Sequence, residues 1–102
     1  MEITTEELKE KINKGDKVIV DFWGSWCGPC KLLKPRFEKA KELHEGDVEF
    51  FTFEIDKDKD FVISEMGIYS VPTIKGFSNG GETYSSVGLI TIDNIIELAK
   101  KL

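Results

Sequence analysis

The 102-residue sequence predicts an α/β domain. Its plan is a central mixed sheet of four to five strands, with helices on both faces and an N-terminal strand that is short or missing. Three observations carry this. Val18–Phe22 and Val48–Ile55 are bulky, β-prone runs separated by a helical stretch; such a βαβ unit has parallel strands and a right-handed crossover. Thr73–Phe77 and Glu82–Val87 flank Ser78-Asn79-Gly80-Gly81; Asn-Gly is a strong hairpin signal, so this pair is antiparallel. Val18–Phe22 is apolar on both faces, as a strand covered by helices on both sides should be.

Taken in order, Thr4 and Glu7 form a capping box that opens the first helix. Leu8 and Ile12 share one face of it, and Gly15 ends it. Only Met1–Thr4 precedes this helix, so an edge strand there is stunted, and it is expected to be the least stable part of the sheet. After Val18–Phe22, the body of the second helix runs from Lys31 to Glu45, with Leu33, Phe37 and Ala40 at helical spacing and Leu32 and Leu43 beside them. Pro35 inside it removes a hydrogen bond and should kink it. Glu45-Gly46-Asp47 ends the helix before the strand Val48–Ile55.

The charge run Asp56–Asp60 lacks the glycine and distant glutamate of a calcium loop. It reads as a solvated turn capping a short helix, Phe61–Met66, which Gly67 ends. Beyond the hairpin, Thr91 caps a last helix whose stripe is Ile92, Ile95, Ile96, Ala99 and Leu102; Lys100 and Lys101 suit its C-terminal end. No repeat, linker or low-complexity segment interrupts residues 1–102, which are expected to form one domain.

The formal charge of −5 argues against nucleic acid and against anionic membranes as partners. No apolar run approaches the ~20 residues that span a bilayer. The first residues show no basic segment followed by an apolar core. A cytoplasmic location follows as an expectation, and there a lone cysteine pair is more often catalytic than structural.

That pair is Cys27 and Cys30, the only cysteines, in Trp26-Cys27-Gly28-Pro29-Cys30. Cys27 falls at the start of the second helix and Cys30 one turn in, close enough for a disulfide. Free N–H groups and the positive end of the helix dipole favour a thiolate at Cys27. Pro29 suits a first turn, and Gly28 leaves room for a substrate backbone. A zinc site needs about four ligands; two cysteines and His44, the one histidine, fall short without carboxylates or a second chain. A purely structural disulfide here closes too short a loop to restrict the unfolded chain much. Asp21, ending a buried strand, should have a raised pKa; the competing reading is a turn or cap aspartate.

Asp21-Phe22-Trp23-Gly24-Ser25-Trp26-Cys27-Gly28-Pro29-Cys30-Lys31, with Pro35 beyond, resembles the active-site segment of the thioredoxin family. Val71-Pro72-Thr73 resembles its cis-proline loop. Phe77-x-Asn79-Gly80 and Val87-Gly88 resemble its final hairpin, so the likeness covers nearly the whole chain. It implies the thioredoxin fold and a thiol–disulfide oxidoreductase that reduces protein disulfides. In that scheme Cys27 attacks, Cys30 resolves, and Asp21 is a buried base acting through water on Cys30. Trp26, Gly28, Pro29, Val71, Pro72, Val87 and Gly88 would form the docking surface, with a cis Val71–Pro72 bond; Trp23 fits that surface or the core equally.

The resemblance further implies a thioredoxin-reductase-type electron donor, disulfide-containing protein targets, a monomer, and no bound cofactor beyond the Cys27–Cys30 disulfide. No Gly-rich phosphate fingerprint is present. Where the family often carries a lysine near the buried acid, this chain has Thr52. Asp21 should therefore titrate higher than in relatives with the lysine, unless Lys75 on the next strand substitutes. Lys31 and His44 read as surface residues. Lys75-Gly76 interrupts a strand without a functional reason. The alternatives are a glutaredoxin-like, glutathione-coupled reductase and a binding or assembly factor whose cysteines are idle.

Overall fold

A computed structural model describes residues 1–102. Helix α1 (Thr5–Lys14) precedes strand β1 (Val18–Trp23), helix α2 (Gly28–Leu43) and strand β2 (Glu49–Glu54). A 3-10 turn (Ile55–Lys57) and a π-helical turn (Phe61–Glu65) lead to strands β3 (Thr73–Ser78) and β4 (Gly81–Val87) and helix α3 (Ile92–Lys100). The four strands lie in the order β2-β1-β3-β4. The β1–β2 pair is parallel, and β1–β3 and β3–β4 are antiparallel. The mixed sheet expected from the sequence is therefore present.

Each face of the sheet carries its own core. Val18, Val20 and Phe22 of β1 join Ile3, Leu8, Phe53, Phe61, Val62 and Phe77 on the face covered by α1 and the π-helical turn. Ile19 points the other way, with Leu33, Phe37, Ala40, Phe50, Ile74, Ile95 and Ala99, against α2 and α3. The period-two alternation of a strand places Asp21 and Trp23 on this second face. The caps are as read: Thr4 and Glu7 exchange capping-box bonds, Thr91 Oγ1 accepts from the Asn94 amide, and Asn79 and Gly80 turn the hairpin with φ of 57° and 91°.

Four expectations change. The N-terminal strand is as short as expected, a single parallel bridge from Glu2 to Thr52, but it carries a side-chain anchor that the sequence did not suggest. The Glu2 carboxylate accepts from Trp23 Nε1, Thr52 Oγ1, the Glu54 amide and Lys57 Nζ. Second, the charge run is not simply solvated. Asp56 accepts from Trp26 Nε1, Lys57 pairs with Glu2, and Asp58 accepts from Thr5 Oγ1. The turn lies against the N-terminal segment and the loop before α2, so its charges find long-range partners. Third, the short helix is π-wound, with Met66 N–H donating to Phe61 O. Fourth, α2 stops at Leu43, and His44 is a half-buried C-cap with its ring tilted against Phe50 rather than a free surface residue.

Gly76 has a packing reason that one dimension hides. It stands opposite Tyr84 across β3–β4, and a Cβ there would overlap the Tyr84 ring. The missing side chain lets Tyr84 lie over the strand and donate from its hydroxyl to Leu98 O at 2.7 Å, tying β4 to α3. Overpacking of this kind costs about 1–3 kcal/mol. Gly76→Ala should lose about that much in urea unfolding, and the loss should largely vanish in a Tyr84→Ala background. An undiminished loss there would place the cause elsewhere.

Candidate functional site

The site is built where β1 hands the chain to α2. Gly24 is buried beneath the Trp26 ring, and a Cβ on it would lie 2.8 Å from that ring. Trp26 is thus folded back over its own loop, 65% exposed, with Nε1 donating to Asp56 at 3.0 Å. Cys27 is the N-cap of α2, with Gly28 and Pro29 opening the helix. Its sulfur accepts from the Cys30 amide at 3.2 Å. A side chain at this position receives an otherwise unpaired N–H and the helix dipole, and no carboxylate occupies the first turn to oppose a thiolate. Cys27 and Cys30 are joined as a disulfide.

The loop before β3 meets this sulfur from the other side. The Val71–Pro72 bond is cis, and Val71 O lies 3.7 Å from Cys27 Sγ. The Gly88 amide donates to Pro72 O at 2.8 Å, and Val87 pairs with Thr73, so the end of β4 braces the loop. Of the sequence-predicted residues, Trp26, Gly28 and Pro29 flank Cys27 along the chain and Val71 meets its sulfur, while Val87 and Gly88 lie against the cis-proline loop and Pro72 itself is buried. Two neighbours escaped the sequence reading. Ile63 and Tyr69, both exposed, complete with Trp26, Ile55, Ile68 and Val71 an apolar groove of about 320 Å³. Only chain reversal through the π-helical turn brings them there. Trp23 belongs neither to that surface nor to the core: its indole lies between Glu2 and Lys34.

Behind the cysteines is a second, smaller space of about 180 Å³, lined by Asp21, Trp23, Gly24, Ser25, Cys30, Lys31, Lys34 and Thr52. Asp21 is 1% exposed, and its Oδ1 has no hydrogen-bond partner. Burial pushes its pKa up from 3.8 to about 7; the charge of Glu2 pushes the same way, and that of Lys34 opposes. Thr52 does stand beside Asp21 in the β1–β2 register. Lys75 does not replace the missing lysine: it pairs with Val20, one residue off and on the opposite face, and its ammonium is bound to Glu82 at 2.6 Å. No group of three or more His, Cys, Asp or Glu is arranged to hold a metal ion, and no helix is long and apolar enough to cross a membrane.

Such a site can do dithiol chemistry: a helix-capped sulfur only 5% exposed, a second sulfur one turn behind it, and a buried acid poised near neutrality. Comparison with known proteins agrees. The family model for thioredoxin matches residues 1–101. The thioredoxin of Borreliella burgdorferi is 38% identical over 93 residues, covering 90% of this chain and 79% of that one. That of Mycoplasma genitalium is 39% identical over 93 residues, covering 91% and 89%. Among solved structures, the thioredoxin of Plasmodium falciparum superposes with a TM-score of 0.85 at 28% identity, covering 99% of this chain and 98% of that one.

Proposed function

Because the chain belongs to the thioredoxin family and is a dithiol–disulfide oxidoreductase, we propose the following roles for its residues. Cys27 thiolate attacks a sulfur of a protein disulfide, forming a mixed disulfide and releasing the target's first thiolate. Cys30 thiolate then attacks Cys27 Sγ, releasing the second target thiolate and closing Cys27–Cys30. Two electrons pass to the target, and its two thiolates take up protons. Asp21 accepts the Cys30 proton across the cavity they share. The observation that carries this reading is the Cys27 sulfur held at the α2 N-cap against the cis-proline loop. Trp26, Gly28, Pro29, Val71, Pro72, Val87 and Gly88 form the docking surface, and the Val71 backbone pairs with an extended target segment.

We further place residues 1–102 as one monomeric domain working in the cytosol. Its electron donor is a reductase of the thioredoxin-reductase type, its substrates are disulfide-bearing proteins, and no other cofactor takes part. The test is insulin-disulfide reduction with NADPH and a thioredoxin reductase, beside the same assay with glutathione, glutathione reductase and NADPH. Turnover in the first and little in the second is expected. The reverse pattern would make the chain glutaredoxin-like.

A further inference from the structure

The cavity behind Cys30 contains a charge relationship that the sequence does not display. Asp21 faces it from β1 with an unpartnered carboxyl oxygen. The neighbouring position on β2 is the neutral Thr52, and on β3 the apolar Ile74. Strand cations are thus absent from this face, since Lys75 points to the other side. Lys34, however, lies one helical turn beyond Cys30 on α2, so its side chain and Cys30 share a face. Lys34 lines the cavity with Asp21, Cys30 and Thr52. Its ammonium sits 5.6 Å from the centre of the Trp23 ring, and Trp23 is two residues beyond Asp21 on the same face of the sheet. Lys34 is itself exposed, and the cation–π contact favours the rotamers that keep its ammonium at the cavity rim.

We propose that Lys34 is the positioning cation of the Asp21–Cys30 cavity, supplying from α2 the positive charge that no strand supplies. This rests on the reading of Asp21 as the base for Cys30. Other charges bear on Asp21 from the elements around it. Glu2, from the N-terminal segment, and Glu38, from α2, both disfavour its ionised form, and Lys34 alone among the groups shifting it favours that form. Lys31 lines the cavity mouth as well. Trp23 links the two opposing charges, since its face meets Lys34 while its Nε1 donates to Glu2. Lys34 limits how far burial and the two carboxylates push Asp21 toward its protonated form, so that part of the population is ionised near neutral pH when Cys30 must lose its proton.

The experiment compares Lys34→Met and Lys34→Arg with the parent. Asp21 is titrated through its carboxyl carbon by NMR, and the rate at which Cys30 resolves a preformed mixed disulfide is followed from pH 5 to 9. In Lys34→Met the Asp21 titration should move up by about half a unit or more, and the pH–rate profile should move with it. Lys34→Arg keeps the charge and can stack on Trp23, so both readouts should return to the parent's. An unchanged Asp21 titration in Lys34→Met, or Lys34→Arg behaving as Lys34→Met, would overturn the proposal. If the titration moves while the rate profile stays, Lys34 still acts on Asp21, and the role of Asp21 as the base for Cys30 is what fails.

Discussion

Asp21→Asn should make the fold markedly more stable at pH 8 while slowing its chemistry. The Asp21 carboxyl is buried, with one oxygen unpartnered and its pKa raised from 3.8 to about 7. The folded chain therefore holds this proton more tightly than the unfolded chain does. As far as this group is concerned, stability is highest below about pH 4. It declines as pH rises through the interval between the two pKa values, and levels off above about pH 7. Each unit of displacement corresponds to about 1.4 kcal/mol, so the full decline is about 4 kcal/mol at most. Asparagine has no proton to lose. Urea unfolding should show the variant ahead by several kcal/mol at pH 8 and level with the parent near pH 4. A difference below about 1 kcal/mol at pH 8 would mean that the ionised carboxylate is better solvated than the geometry around it implies. On the functional side, release of the mixed disulfide should slow most at the pH where the parent's Asp21 is ionised.

The two cysteine replacements should separate completely. Cys27→Ser removes the helix-capped sulfur, and serine's hydroxyl is far too weak an acid to give an anion there. Insulin reduction should fall to the uncatalysed background. Cys30→Ser keeps the attacking sulfur and removes the one that frees it. It should react once and stop as a mixed disulfide with its target, visible as a covalent adduct on a non-reducing gel and dissolved by added dithiol. The same pair of variants distinguishes a catalyst from a docking factor, because a docking factor would retain its function in both. Retained turnover in Cys27→Ser would remove the mechanism altogether.

Much of this was legible in one dimension because it depends on neighbours in sequence. The capping box at Thr4 and Glu7, the Asn79-Gly80 turn and the Thr91 cap are bonds within three or four residues. The position of Cys27 at a helix start, with Cys30 one turn in, is of the same kind. The errors share a physical cause too. Charges in Asp56–Asp58 looked solvated because their partners, Trp26, Glu2 and Thr5, lie tens of residues away. Gly76 looked idle because its reason, the Tyr84 ring, lies on the adjacent strand. His44 looked exposed because its neighbour Phe50 is reached only after the chain turns into β2.

What the sequence alone determined is the βαβ-plus-hairpin plan and the reactive pair, since backbone propensity, hydrophobic period and the helix dipole act over short stretches of chain. Which groups surround the buried acid was decided only by the tertiary structure. Strand register set Thr52 beside Asp21 and turned Lys75 to the opposite face, and the packing of α2 on the sheet brought Lys34 to the cavity. Electrostatic energy depends on distance and burial in space, and neither can be read from spacing along the chain.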